Sequence, residues 1–176
     1  MSIREISSYH LGDMMLVFEE ETEFHRVGFY MIPWSMQKDR VLDRKFYRIN
    51  SLAQVNNAGD MYPNCYANGQ TMRNGESANR MDYKSQKEVA TEYGKEIHTY
   101  FEDARGYELE NVITYYHGED SFEMKNIFTN KAEEKVRLEM LSSFEMENLS
   151  PFLPGDGAGS LLVHRLLSKW SHEGRL

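Results

Sequence analysis

The chain has 176 residues, a 40% apolar fraction and a formal net charge of -8. That length predicts one domain with room for a core of its own, and the scattered Lys and Arg, with no basic patch, argue against nucleic acid as a partner. No run approaches the ~18 apolar residues of a membrane span, the N-terminus MSIREISSYH lacks the basic-then-apolar order of a leader, and Cys65, the single cysteine, rules out an intrachain disulfide; a soluble, cytoplasmic protein is expected.

In chain order, Met14 to Glu20 and Glu23 to Met31 read as a hairpin. The acidic run Glu19 to Glu23 is expected at its solvated tip, because charge runs usually face water. Pro33 should end the second strand, since proline cannot donate to a ladder. Phe46 to Val55 alternates Tyr47, Ile49, Ser51, Ala53 and Val55 on one face, the period of two of a half-buried strand. A weaker strand follows from Arg80 to Val89, with Met81, Tyr83 and Val89 on a shared face. Lys95 to Met146 reads as a four-stranded meander, punctuated by Ala104-Arg105-Gly106, His117 to Asp120 and Asn130 to Glu134. Its last strand should turn Val136, Leu138, Met140, Ser142, Phe144 and Met146 to one side. Strands at such spacing, separated by turns, predict an all-β antiparallel sandwich. Pro151 to Ser160 is a Gly/Pro-rich loop. In Leu161 to Trp170, Leu162, Leu166 and Trp170 fall four apart, as in a helix, although a strand with His164 on its face also fits.

Catalytic chemistry finds little support. None of the 28 acidic residues stands alone between large apolar neighbours, the setting that raises a carboxyl pKa for glycosidic general-acid work. The histidines (His10, His25, His98, His117, His164 and His172) form no HxH, HxxxH or HExxH pair, so no metal site is expected. Cys65 has no activating base beside it in sequence. Gly155, Gly157 and Gly159 have the wrong spacing for a dinucleotide fingerprint. Asp156 reads as a turn former. No cofactor is implied.

The exception is the segment from Asn56 to Asn74, NNAGDMYPNCYANGQTMRN. A loop this long inside a compact chain is usually functional or disordered, and its Tyr and Met content suits a shaped surface. Asp60, Tyr62, Asn64, Tyr66, Arg73 and Asn74 combine planar hydrogen-bonding groups with aromatic faces, the mixture that a sugar site requires. The same tyrosines could instead pack on the sheet, and Asp60 could instead form a turn.

Three stretches carry a family resemblance: Met61-Tyr62-Pro63 through Arg73-Asn74, LEMLSSFEMENLSPF from Leu138, and HRLLSKWSHEGRL from His164. Together with the strand pattern, the region from about Phe46 to Leu176 resembles the N-terminal domain of bacterial α-galactosidases of glycoside hydrolase family thirty-six. The resemblance implies a large supersandwich-type β-sandwich, of which residues 1–176 would be an incomplete N-terminal portion. A catalytic barrel beyond Leu176 would hold both catalytic aspartates, so no catalytic residue is placed here. It also implies retaining hydrolysis of terminal α-galactosides without a metal, and homo-oligomers in which Tyr62, Pro63, Tyr66, Gly69 and Arg73 reach the rim of a sugar site. Thr71 and Met72 depart from the acid and Phe that many relatives carry before the arginine. The alternative from another class is a stand-alone carbohydrate-binding or assembly module.

Overall fold

The computed structural model describes residues 3–38, 49–61 and 73–146, together with Leu149, Gly159 and Leu162. Tyr62, Asn64, Tyr66, Cys65, Asp156 and nearly all of the expected C-terminal loop and apolar element lie outside the described residues.

The described chain is all-β and antiparallel, as expected. Its strands are β1 (Ile3–Leu11), β2 (Met14–Glu21), β3 (Arg26–Pro33), β4 (Val55–Asn57), β5 (Asp82–Ala90), β6 (Gly94–Asp103), β7 (Tyr107–Tyr116), β8 (Phe122–Asn130) and β9 (Leu138–Leu141), with a 3-10 turn at Trp34–Met36 and a short α-helix, α1 (Glu76–Asn79). They form a three-stranded sheet β1-β2-β3, a four-stranded sheet β5-β6-β7-β8 and the small pair β4-β9.

The two larger sheets share one apolar cluster. Leu16, Phe18 and Phe29 of the first meet Ile97, Phe101, Leu109 and Ile113 of the second, and burying each such side chain stabilises the fold by about 1.5–3 kcal/mol. Phe29 stands edge-on to Phe122 of β8, centroids 6.3 Å apart. Along the other margin, the Ser7 and Tyr9 hydroxyls of β1 donate to Gln86 of β5, the latter at 3.0 Å. The opposite face of the three-stranded sheet is covered too: Met15, Val17, Tyr30 and Ile32 pack with Ile49 and Trp34. Gly28 permits that cover, because a Cβ there would stand 2.5 Å from the Asn50 carbonyl oxygen. Burial on both faces explains why β2 is apolar without alternation.

Pro33 does close its strand, paired with Met14 at the last rung. Several details differ from the sequence expectation. Strand β1 is present although nothing in its mixed pattern announced it. The acidic run is not a solvated tip: β2 continues through Glu21, the turn begins at Thr22, and Glu19, Glu20 and Glu21 are only 3%, 3% and 1% exposed. Backbone pairing to both β1 and β3 draws these residues in, and Glu20 pairs with Arg4 at 2.6 Å and lies 3.0 Å from His25 Nδ1. Both Glu21 carboxyl oxygens are buried without a hydrogen bond to a described residue.

The four-stranded sheet takes β5 as its fourth member, while β9 leaves the expected meander to pair with β4. A bulge between Tyr83 and Ser85 reverses the phase of β5. Tyr83 therefore faces the core beside Phe101, and Val89 sits opposite outward-facing Glu96. Extra residues of this kind are invisible to a strict period of two. The strand expected over Phe46 to Val55 is reduced to Val55–Asn57 among the described residues. In β9 it is Leu141, not Leu138, that packs on the core.

Candidate functional site

The ends of the 56–74 segment are described, and they lie side by side. The Glu76 N–H donates to the Met61 carbonyl at 3.0 Å, and the Met61 N–H donates back to Glu76 Oε2 at 3.3 Å. The first stem follows from β4, whose partner β9 continues the pairing through the Ala58 N–H to the Arg137 carbonyl. The second stem runs through Asn74, held at φ +51, into α1.

A buried polar network joins these stems to the turn between β6 and β7. Asp60 Oδ2 accepts from the backbone N–H groups of Asn57 and Ser77 at 2.8 and 3.3 Å, and Oδ1 accepts from the Ser77 hydroxyl at 2.9 Å. The Ser77 hydroxyl accepts in turn from Asn57 Nδ2 and Arg105 Nη2, each at 2.9 Å. Arg105 also forks onto Asp103, with Nε and Nη2 at 3.0 and 2.6 Å from Oδ2. Its Nη1 lies 3.7 Å from Asp60 Oδ1. Bidentate geometry of this kind fixes orientation as well as supplying attraction. The Asp103 hydrogen bonds raise the Arg105 pKa further, against the opposing effect of burial.

Asp60, expected as a sugar contact, has a side chain only 3% exposed, and its oxygens are occupied within this network. Asn74 is tied as well. Its N–H donates to Gln54 Oε1 at 2.6 Å, and its carbonyl accepts from Asn79 Nδ2 at 2.6 Å. Asn79 Oδ1 accepts from Arg26 of β3 at 2.9 Å, linking this stem to the other large sheet. Arg73 differs: its side chain is 39% exposed, with Nε 3.9 Å from Glu145 Oε1. Glu145 also accepts from Asn50 Nδ2 at 3.0 Å. Of the six residues named from sequence, the structure thus brings Asp60, Arg73 and Asn74 to the paired stems, while Tyr62, Asn64 and Tyr66 lie outside the described residues.

Ser77, Asp103 and Arg105 were not anticipated. The Asp103 to Gly106 turn does carry a local signal, since Asp accepts from the backbone two residues on and Gly106 takes φ +91. The partner of Arg105 across the chain has none.

On the outer face of the four-stranded sheet, His98 lies 2.7 Å from Glu110 and 3.1 Å from Glu96. A hydrogen bond from the Tyr93 hydroxyl, then one from His98, holds the Glu96 pKa below its ordinary 4.5. Among the described residues, no group of three His, Cys, Asp or Glu is arranged to hold a metal ion. The stems and their network brace the segment, and the Ser77 hydroxyl that donates to Asp60 is fully buried among them.

No protein-family model, no curated protein and no solved structure matches this chain.

Proposed function

We propose that this chain is a non-catalytic β-sheet scaffold that presents the segment between Met61 and Arg73 to a carbohydrate. One observation carries the reading: both stems of that segment are locked together and anchored to the four-stranded sheet through Asp60, Ser77, Arg105 and Asp103. A binding segment needs such a base, because affinity is lost when the loop must be ordered on binding. Arg73, at the stem and partly exposed, is the described side chain best placed to donate to sugar hydroxyls.

The narrower form of the proposal is the N-terminal sandwich of an α-galactosidase-like retaining glycoside hydrolase. There the segment forms the rim of a sugar site whose acids belong to a separate barrel, and the chain supports a homo-oligomer. That form is supported by the sequence resemblance alone. The alternative, a stand-alone carbohydrate-binding module, uses the same stems and needs no barrel.

Calorimetric titration of the chain with methyl α-galactoside and with N-acetylgalactosamine tests the shared reading. Binding that Arg73→Ala weakens, with the circular dichroism of the fold unchanged, supports it. Absence of binding to either sugar, or binding indifferent to Arg73→Ala, removes it. Hydrolysis of a chromogenic α-galactoside by this chain alone would defeat both forms.

A further inference from the structure

The opposite end of the four-stranded sheet holds a cavity that the proposed carbohydrate role does not use. It opens where the β1-β2 turn meets the β7-β8 turn and measures about 380 Å³. That volume falls within the range of small-molecule sites, roughly 300–1,000 Å³. Tyr107–Tyr116 is a ten-residue strand, which separates this end from the Asp103 to Gly106 turn by about 30 Å at roughly 3.3 Å per residue.

The interior is apolar and aromatic. Leu11, Met14, Met31, Tyr115, Phe122 and Phe144 are among its lining residues. Methionine pairs adapt their shape to a guest. The Tyr115 hydroxyl makes no hydrogen bond to another described residue, and Gly12, at φ +56, lies against its ring. The mouth carries one sign of charge. Asp13, Glu119 and Asp120 border it with Ser121, and among the described residues the lining contains no Lys, Arg or His. No basic side chain among the described residues pairs with these three carboxylates, and all three are exposed.

We infer that this cavity binds a small organic cation: an amine with an aromatic or branched aliphatic body, its body inside and its ammonium group at the acidic mouth. Burial of the apolar body supplies the attraction. The carboxylates and the faces of Tyr115 and Phe122 select positive charge, and the same carboxylates repel an anion of the same shape. The inference is independent of the carbohydrate reading, because it uses none of the loop-stem residues.

The test titrates the whole chain with three probes of nearly equal shape: phenethylammonium, 2-phenylethanol and phenylacetate. Phenethylammonium should bind about ten-fold more tightly than the alcohol, as one good cation contact provides, and phenylacetate should not bind. The triple variant Asp13→Asn, Glu119→Gln, Asp120→Asn should bring the ammonium and the alcohol within about two-fold of each other. Phe144→Ala removes a side chain that is 51% exposed, so the fold should persist while all binding weakens. Equal affinity for ammonium and alcohol in the parent chain, preference retained in the triple variant, or no binding of phenethylammonium up to about 10 mM, each overturns the inference; weak millimolar affinities remain measurable.

Discussion

The two ends of the four-stranded sheet solve opposite problems with the same strands. At the Asp103 to Gly106 end, polar groups are buried and used up on one another: Asp60, Ser77, Arg105 and Asp103 form a closed network whose side chains hold loop stems in place. At the His117 to Ser121 end, apolar groups line an open cavity and the carboxylates at its mouth have no cationic partner among the described residues. A buried polar group must be paired or it costs stability, so the first end is a structural joint. Exposed carboxylates beside an apolar hollow cost little in isolation, so the second end can hold charge in reserve for a ligand.

The comparison predicts unequal responses to the loss of charge. Arg105→Ala strands Asp103, whose side chain is 1% exposed, and should cost about 3 kcal/mol, the usual result of breaking a buried pair on one side. Urea unfolding of the variant checks this. Neutralising Asp13, Glu119 and Asp120 together should move stability by no more than about 0.5 kcal/mol, as for surface changes away from paired groups. Comparable costs at the two ends would dissolve the distinction. An intermediate effect is expected from Gly12→Ala at the cavity turn. Its φ of +56 disfavours any Cβ, and the added methyl would stand 3.4 Å from the Tyr115 hydroxyl. About 1 kcal/mol should be lost, with phenethylammonium affinity reduced alongside it as the Tyr115 side chain shifts.

How far these two ends could be read from the sequence follows from the range of the interactions that build them. Period-two alternation announced β6, β7 and β8, because one face of each meets the core. It missed β1, whose pattern is mixed, and misphased β5, because a bulge at Tyr83 to Ser85 adds a residue that no period contains. The acidic stretch on β2 misled for a physical reason. Charge predicts exposure only when the backbone is free to leave the sheet, and Glu19 to Glu21 are held by ladders on both sides. At the candidate site, loop composition pointed to Asp60, Arg73 and Asn74, and all three do lie at the stems. Composition could not reveal that Asp60 faces inward, since Ser77 and Arg105 become its neighbours only through the fold. The cavity was equally hidden: Leu11, Met31 and Tyr115 belong to different strands, and only sheet packing gathers them.

Acid offers the finest separation, because it titrates joints made of carboxylates. Burial pushes Glu20 upward, but hydrogen bonds from His25 and Arg4 together outweigh it and leave the folded pKa below the ordinary 4.5. Glu96, near the cavity end, is also lowered, chiefly by the Tyr93 hydroxyl. For both groups the unfolded chain binds protons more readily in the window just below pH 4.5, so stability rises with pH there. Their contribution is fully present above that window and disappears as pH falls through the folded values. Urea unfolding between pH 6 and pH 3 should therefore show falling stability, and the slope should flatten in Glu20→Gln and in Glu96→Gln. The flattening should be larger for Glu20→Gln. Its side chain is 4% exposed between Arg4 and His25, so water screens its interactions less than it does those of Glu96, which is 18% exposed on the sheet surface. A slope more sensitive to Glu96 than to Glu20 would place the acid-labile joint at the cavity end, against the division of labour argued from the geometry.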